Sequence, residues 1–534
     1  MKFGKKELII GGAAAAAVVV AGVGFFVLKA KDPKTVVVDA FKGVYAAENV
    51  NPMEEVFGLK QLYQQFETTG GEVGLEVSVA DFAGEDLDMF QGAGITVEAA
   101  TDIANKRFFE NIGISYGGMD VANLHFYGDD TYLMAAMPEF TSKVLTVNYA
   151  ENLSEQIANS PLMESTGTVL AEEDMEIIDN YISYVTGIYT GEKKPFDLEA
   201  SWQRYKEGSQ AMADFKEAMT VTKTDGAQFM YNGKQQSCDG YHVVIPKEAL
   251  IGFLKTTSQF FLEDQELKQD FLEYIKVVMD MGNMSYPEAV GEDVSTSEEM
   301  LANLWTELDT SLDKTLAKLE QILDSGINME VYVTKKGQLA AMDAAWSFRN
   351  EEDVLEMSLK AALEGGSYPT QNSSLTFTAV DSVDTAVVRF HQNGEYTDAV
   401  LNSEWTVSAE YAGTVVMELA CEDAYDRATG DSAVKFKVKD GEDVNLEIAM
   451  NGVVDELEKG KKLHYIVDSL DVTDNGVTGV SFAGEFYLRE LQTEFAAPEG
   501  EQMDVLAASM EDWEALLEEV MTNLYSMLMG GSLS

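Results

Sequence analysis

The chain has 534 residues, 92 of them Asp or Glu against 37 Lys or Arg, for a formal net charge of −55 at neutral pH. A charge of that sign and size repels phosphate backbones and anionic headgroups, which excludes nucleic acid as a partner and a body lying flat on an anionic bilayer. With 46% hydrophobic residues, nine prolines and no Pro- or Ser-rich linker, the sequence reads as globular, in roughly one to three closely connected domains.

Leu8 to Leu28 form an uncharged run of 21 residues with lysines on both sides. As a helix this run is roughly 31 Å long, which predicts one N-terminal transmembrane span. It ends in Phe25-Phe26-Val27-Leu28-Lys29 with no small-residue cleavage site, and the first cysteine is Cys238, so neither a cleaved signal nor a lipidated cysteine is expected. Lysine counts on the two sides are equal; the basic tail and its α-amino charge favour a signal-anchor at the cell membrane with the N-terminus cytoplasmic and the large domain extracellular.

After Asp32-Pro33, Val36, Val37, Ala40, Phe41 and Val44 recur at helical spacing, and Val56, Leu59, Leu62, Tyr63 and Phe66 do so again before Gly70-Gly71. The period then changes to two: Leu75, Val77, Val79; Ile95, Val97, Ala99; Ile112, Ile114, Tyr116; Tyr132, Met134, Ala136, with Gly128-Asp129-Asp130 as a turn. This predicts an antiparallel meander with one wet face.

Residues 151–324 read as helices with polar connections, broken by a strand at Tyr241–Ile245 that feeds a helix with Pro246 at its first position. The strongest helical pattern starts at the capping box Ser295-x-x-Glu298 and carries Leu301, Leu304, Leu308, Leu312, Leu316, Leu319 and Leu323 to Gly326, a stripe expected to lie against a sheet. Residues 328–490 read as about ten strands, with Lys336-Gly337, Asn393-Gly394, Asp440-Gly441, Asn451-Gly452 and Asn475-Gly476 as hairpin turns. A final amphipathic helix follows the Ser509 cap, with Trp513, Leu516, Leu517, Val520, Met521, Leu524 and Leu528 on one side.

Sheet and helix blocks thus segregate along the chain. The expected fold class is α+β, with curved antiparallel sheets covered by amphipathic helices and preceded by the transmembrane helix. The expected divisions are residues 1–31 as tail and anchor, 32–325 as an N-terminal α+β part, and 326–534 as a C-terminal sheet with its helix, the last two forming either two domains or one body.

Chemical motifs are weak. Gly113-Ile114-Ser115-Tyr116-Gly117 matches a nucleophile elbow, which would make Ser115 a hydrolase nucleophile, but the strand-like surroundings offer no following helix. His125, His242, His391 and His464 stand far apart without metal-ligand spacing and read as strand histidines with ordinary partners. Asp471 to Gly476 starts like a calcium loop, but its twelfth position is Phe482, so it reads as a hairpin turn. No phosphate-binding glycine loop is present, and no catalytic residue, cofactor or metal is expected. Cys238 and Cys421 either pair, closing a long loop, or stay as two isolated buried thiols.

The Asp32-Pro33 start after the apolar run, Asn51-Pro52-Met53-Glu54-Glu55-Val56-Phe57-Gly58, Ile114-Ser115-Tyr116-Gly117-Gly118, and Lys143 to Tyr149 before Ser160-Pro161-Leu162 together resemble a family of uncharacterised single-pass membrane-anchored proteins from the surface of Gram-positive anaerobes, a domain of unknown function. The resemblance implies an extracytoplasmic location and no activity. The layout of strands and long apolar helices is also similar to the half-barrel lipid and lipoprotein carriers of bacterial envelopes.

These readings converge on a non-enzymatic, membrane-tethered extracytoplasmic binding or interaction module, with an apolar ligand such as an acyl lipid or a lipoprotein held between sheet and helices. The alternatives are a structural or adhesive surface scaffold facing a protein partner and, more distantly, a serine hydrolase using Ser115.

Overall fold

The first helix, α1 (Pro33–Val44), starts from Asp32, whose carboxylate accepts the Thr35 N–H at 3.1 Å while Pro33 fills a position that needs no donor. Asn51 and Pro52 repeat the arrangement at α2 (Pro52–Phe57), and Gly58, at φ 65°, turns the chain into α3 (Leu59–Thr68). In this computed structural model, residues 32–530 are described except 47–48, 83–89, 168, 170, 190–191, 194–197, 286–296, 351–352, 442 and 493–494.

Six strands follow: β1 (Gly70–Phe82), β2 (Ala93–Asp102), β3 (Arg107–Tyr116), β4 (Met119–Gly128), β5 (Tyr132–Ala136) and β6 (Lys143–Asn148). The helices α4 (Leu153–Ala158), α5 (Pro161–Thr166), α6 (Glu172–Tyr189), α7 (Leu198–Gly208) and α8 (Ala211–Ala218) lead to the hairpin β7 (Thr220–Tyr231) and β8 (Lys234–Ile245). Next come α9 (Lys247–Glu263), α10 (Gln265–Ser285) and α11 (Ser297–Ile322). The long strand series is β9 (Ile327–Thr334), β10 (Leu339–Asn350), β11 (Asp353–Gly365), β12 (Asn372–Val380), β13 (Thr385–Tyr396) and β14 (Val400–Tyr411). It continues through β15 (Thr414–Asp426), β16 (Asp431–Asp440), β17 (Asp443–Glu458), β18 (Lys462–Asp474) and β19 (Val477–Glu490). The short β20 (Glu501–Asp504) and α12 (Met510–Gly530) close the chain.

The α+β reading with separate curved sheets is corrected here: all twenty strands belong to one sheet. Its order runs from β7 to β19 in sequence, then β1 to β6, then β20. The joint is β1 against β19, antiparallel with Glu72 opposite Arg489 and Leu75 opposite Phe486, so strands more than 400 residues apart in sequence are neighbours. Every pairing is antiparallel except β6 with β20. The membrane part of the reading is corrected as well. The Leu8–Leu28 run lies outside the described residues, and among the described residues no helix is long and apolar enough to cross a membrane.

Strand pairing places alternate residues on two faces. On the face called the front, Val243, Met329, Ala344 and Leu359 are fully or almost fully buried beneath α1, α7, α8, α9 and the end of α11, forming the main core. The leucine stripe of α11 packs chiefly on α9 and α10, reaching the sheet only near Leu323, and Leu308 is exposed. Pro246 is the N-cap of α9, not its first residue. At the opposite end of the sheet, α12 covers β6 and β20 through Leu516, Trp513 and Val520 against Leu145 and Met503. The register places these on the same front face. Because α12 touches α5, α4 touches α6, α6 touches α10, and α10 packs with α9 and α11, helices join the two ends of the sheet on its front side. A sheet whose ends are tied across one face must curve toward that face, so the front is the concave inner wall.

Beyond an irregularity between Thr224 and Ala227, the β7–β8 hairpin folds over the back of β9–β11, where Phe229, Tyr231 and Cys238 meet Tyr332 and Ala340. Asn232, at φ 51°, clasps the end of β11: its N–H donates to Glu364 O at 2.7 Å, and its Oδ1 accepts from Gly366 N at 2.9 Å. Asn232→Ala removes that acceptor and places a poorer residue in the left-handed region, so it is expected to lower stability by about 1–2 kcal/mol, with Asn232→Gly costing less. Urea unfolding midpoints of the two variants check this.

Candidate functional site

Between the helix-covered ends, much of the front face of β13–β19 and β1–β4 continues without a covering layer. Pairing lines up Leu375, Phe390, Val407, Leu419, Val438 and Leu446 across six successive strands. Farther along, Leu470, Phe482 and Val79 form a row, as do Val77, Ile95 and Ile114. Eleven strands at roughly 4.8 Å spacing make an apolar wall about 50 Å across. Side chains on it remain open to solvent: Ile95 is 56% exposed, Ile114 51%, and Leu75 and Met417 43% each. The back face of the same strands is polar and laced with ion pairs: Arg389–Glu410, Lys437–Glu422, Lys439–Glu418 and Arg489–Glu72. An apolar wall this large left to water is unusual for a protein that works alone.

One rim of the wall is closed by α2 and α3. Met53, Val56 and Phe57 pack on Leu401, Tyr425, Val454, Leu463 and Tyr465, and Leu62 is buried over the β1–β19 joint. Beside α2 opens a cleft of about 770 Å³, lined by Val50, Pro52, Glu55, Tyr396, Leu401 and Arg427 among others. Tyr396 and Leu401 belong to the front face, so the cleft borders the edge of the apolar wall.

A polar island interrupts the wall near that cleft. Asp423 stands on β15 where alternation with Leu419, Cys421 and Tyr425 calls for an apolar residue. Ser403, its partner across β14, donates to Oδ1, while Oδ2 is buried with no hydrogen-bond partner. Burial pushes the Asp423 carboxyl above the usual carboxylate range, against the pull of Ser403. Tyr368, on the β11–β12 connection, stacks on Tyr396 with ring centroids 6.2 Å apart and accepts from Gln392 Nε2 at 3.1 Å. Burial, Tyr396 and the field of Asp423 push the Tyr368 hydroxyl up. None of these five residues was singled out from sequence; the available signal was an aspartate in apolar phase.

The residues that sequence did single out are scattered. Ser115 lies on β3 opposite Asp120 across a bulge, and Gly117-Gly118 turn the chain directly into β4, so the strand–turn–helix of a nucleophile elbow is absent. The four histidines sit on β4, β8, β13 and β18; His242 Nδ1 meets Glu330 at 2.7 Å and His464 Nδ1 meets Asp455 at 2.6 Å. Asp471 accepts from Ser481 and Ser469, and Asn475-Gly476 make the β18–β19 turn at φ 48° and 79°. Among the described residues no group of three His, Cys, Asp or Glu is placed to hold a metal. Cys238 and Cys421 are free thiols. They sit seven strands apart, about 34 Å along the sheet at the usual spacing, and on opposite faces, which forbids the bond; burial pushes both thiols up. Comparison of the chain with protein-family models, curated proteins and solved structures finds no match in any of the three.

Proposed function

We propose that this protein is a non-enzymatic binding module that holds an apolar ligand, an acyl chain in chemical terms, against the inner wall of its curved sheet. The observation that carries the reading is the uncovered apolar face between the two helix-covered ends, reached from the cleft beside α2. Burying apolar surface stabilises by about 25 cal/mol per Å², so an alkyl chain lying across several strands gains enough to bind at micromolar concentration without polar contacts.

Native mass spectrometry and lipid extraction of the full chain purified from its own cells test the proposal. Acyl lipid at a stoichiometric level supports it. An unliganded mass together with a stoichiometric protein partner overturns it in favour of a scaffold. Ile95→Asp combined with Ile114→Asp sets two charges on the wall where both side chains are half exposed. This variant is expected to stay folded, within about 1 kcal/mol of the parent, and to lose at least about ten-fold in affinity for a fluorescent fatty acid.

A further inference from the structure

We propose that the ligand is a cationic amphiphile, an alkyl chain ending in an ammonium group, and that Asp423 with the rings of Tyr368 and Tyr396 receives that ammonium. The inference rests on the apolar-wall reading and adds the headgroup. Asp423 Oδ2 is a buried oxygen without a partner, and it stands on a largely apolar face, beside two stacked phenol rings.

A lone carboxylate flanked by ring faces suits an ammonium, which takes one charge-assisted hydrogen bond and is attracted to the aromatic quadrupoles. Divalent metal ions need more hard oxygen ligands than Asp423 and Ser403 supply. An anion would be repelled. Overall charge works in the same direction, because the field of a chain at −55 concentrates cations near it. From Asp423 the tract Leu419, Val407 and Phe390 runs away over β15, β14 and β13, giving the alkyl chain a continuous apolar path. Oδ2 is covered in the empty protein, so entry requires a side chain to move; Tyr368, on a connection and not on a strand, is the one placed to swing.

The test titrates the full chain with dodecylamine, dodecanol and dodecanoate, each below its micellar concentration and at physiological salt, in the parent and in Asp423→Asn, Tyr368→Leu and Glu422→Gln. Glu422 points to the back of the same strand toward Lys437, so its variant removes an equal charge away from the wall. Dodecylamine is expected to bind the parent about ten-fold more tightly than dodecanol. Asp423→Asn should abolish that preference, Tyr368→Leu should reduce it, and Glu422→Gln should keep it. Asp423→Asn should also unfold at the same or a higher denaturant concentration than the parent, because it removes the cost of a buried carboxylate with one oxygen left without a partner. A preference that survives Asp423→Asn, or that falls equally in Glu422→Gln, overturns the assignment of Asp423 while leaving the apolar wall standing. If none of the three amphiphiles binds the parent, the apolar-wall reading falls and this one with it.

Discussion

Replacing Glu72 by alanine is expected to cost about 3 kcal/mol of unfolding free energy, among the largest effects of any single polar substitution in this protein. Glu72 is 4% exposed on the back of β1 and accepts from Arg489 Nε on β19 and from Gln492 N at 3.0 Å. The Arg489 guanidinium lies over the Tyr487 ring, 4.4 Å from its centroid, and is itself largely buried. Truncation therefore leaves a charged group that has given up much of its water facing no carboxylate, and strands the Gln492 donor. Partial exposure of Arg489 keeps the cost at the lower end of the range for broken buried pairs. The position matters as much as the burial. Among the described residues, and apart from β20, the β1–β19 pairing is the only strand pairing that joins residues 70–148 to the strands after residue 220, so its loss loosens the meander from the long strand series. Urea unfolding followed by circular dichroism measures the effect; Glu72→Gln, which keeps the shape and one acceptor, should lose about half as much. A Glu72→Ala protein within 1 kcal/mol of the parent would show that apolar pairs such as Leu75 with Phe486 hold the joint without the ions.

What the sequence made legible follows from which forces act locally. Alternation at Val434-Phe436-Val438 and Leu463-Tyr465-Val467 assigns these residues to one side of the sheet, and pairing confirms the side. Alternation does not say what covers that side. Ile95 and Leu359 have the same pattern, yet one faces an open interior and the other lies under helices contributed by residues more than 300 positions away. The β1–β19 joint is invisible for the same reason: antiparallel pairing leaves no mark on either strand that names its partner.

Glycine signals divide along similar lines. Asn475-Gly476, Asp440-Gly441 and Lys336-Gly337 are turns, because their local conformation needs a positive φ. Asn451-Gly452 instead lies within β17 at a register shift, where a Cβ on Gly452 would meet Ile466 O at 2.0 Å. Asn393-Gly394 lies within β13, packed by Gln371 and Tyr396. In both places glycine serves a close approach from another strand or loop, a requirement no dipeptide reveals. Asp423 was hidden differently: in a chain with 92 acidic residues one more aspartate carries no signal until its phase among Leu419, Cys421 and Tyr425 is counted.

The contrast between Leu359 and Ile95 gives the sharpest test of the open wall. Leu359 on β11 is 0% exposed, packed in the main core among Met329, Ala344 and Phe377. Leu359→Ala removes three buried carbons and leaves a cavity that strands fixed on both sides cannot collapse, so it is expected to cost about 3–4 kcal/mol. Ile95 on β2 is 56% exposed and loses little water-excluded surface on truncation; Ile95→Ala is expected to cost under about 1 kcal/mol. Guanidinium unfolding of both variants, with and without a bound alkyl ligand, separates the possibilities. Without ligand, Leu359→Ala should shift the midpoint strongly and Ile95→Ala barely. With ligand, the stabilisation gained by mass action should be retained in Leu359→Ala and reduced in Ile95→Ala, because only Ile95 lies on the wall that the ligand covers. Equal costs in the unliganded protein would mean that the wall is already closed in solution, with no surface left for a ligand to occupy.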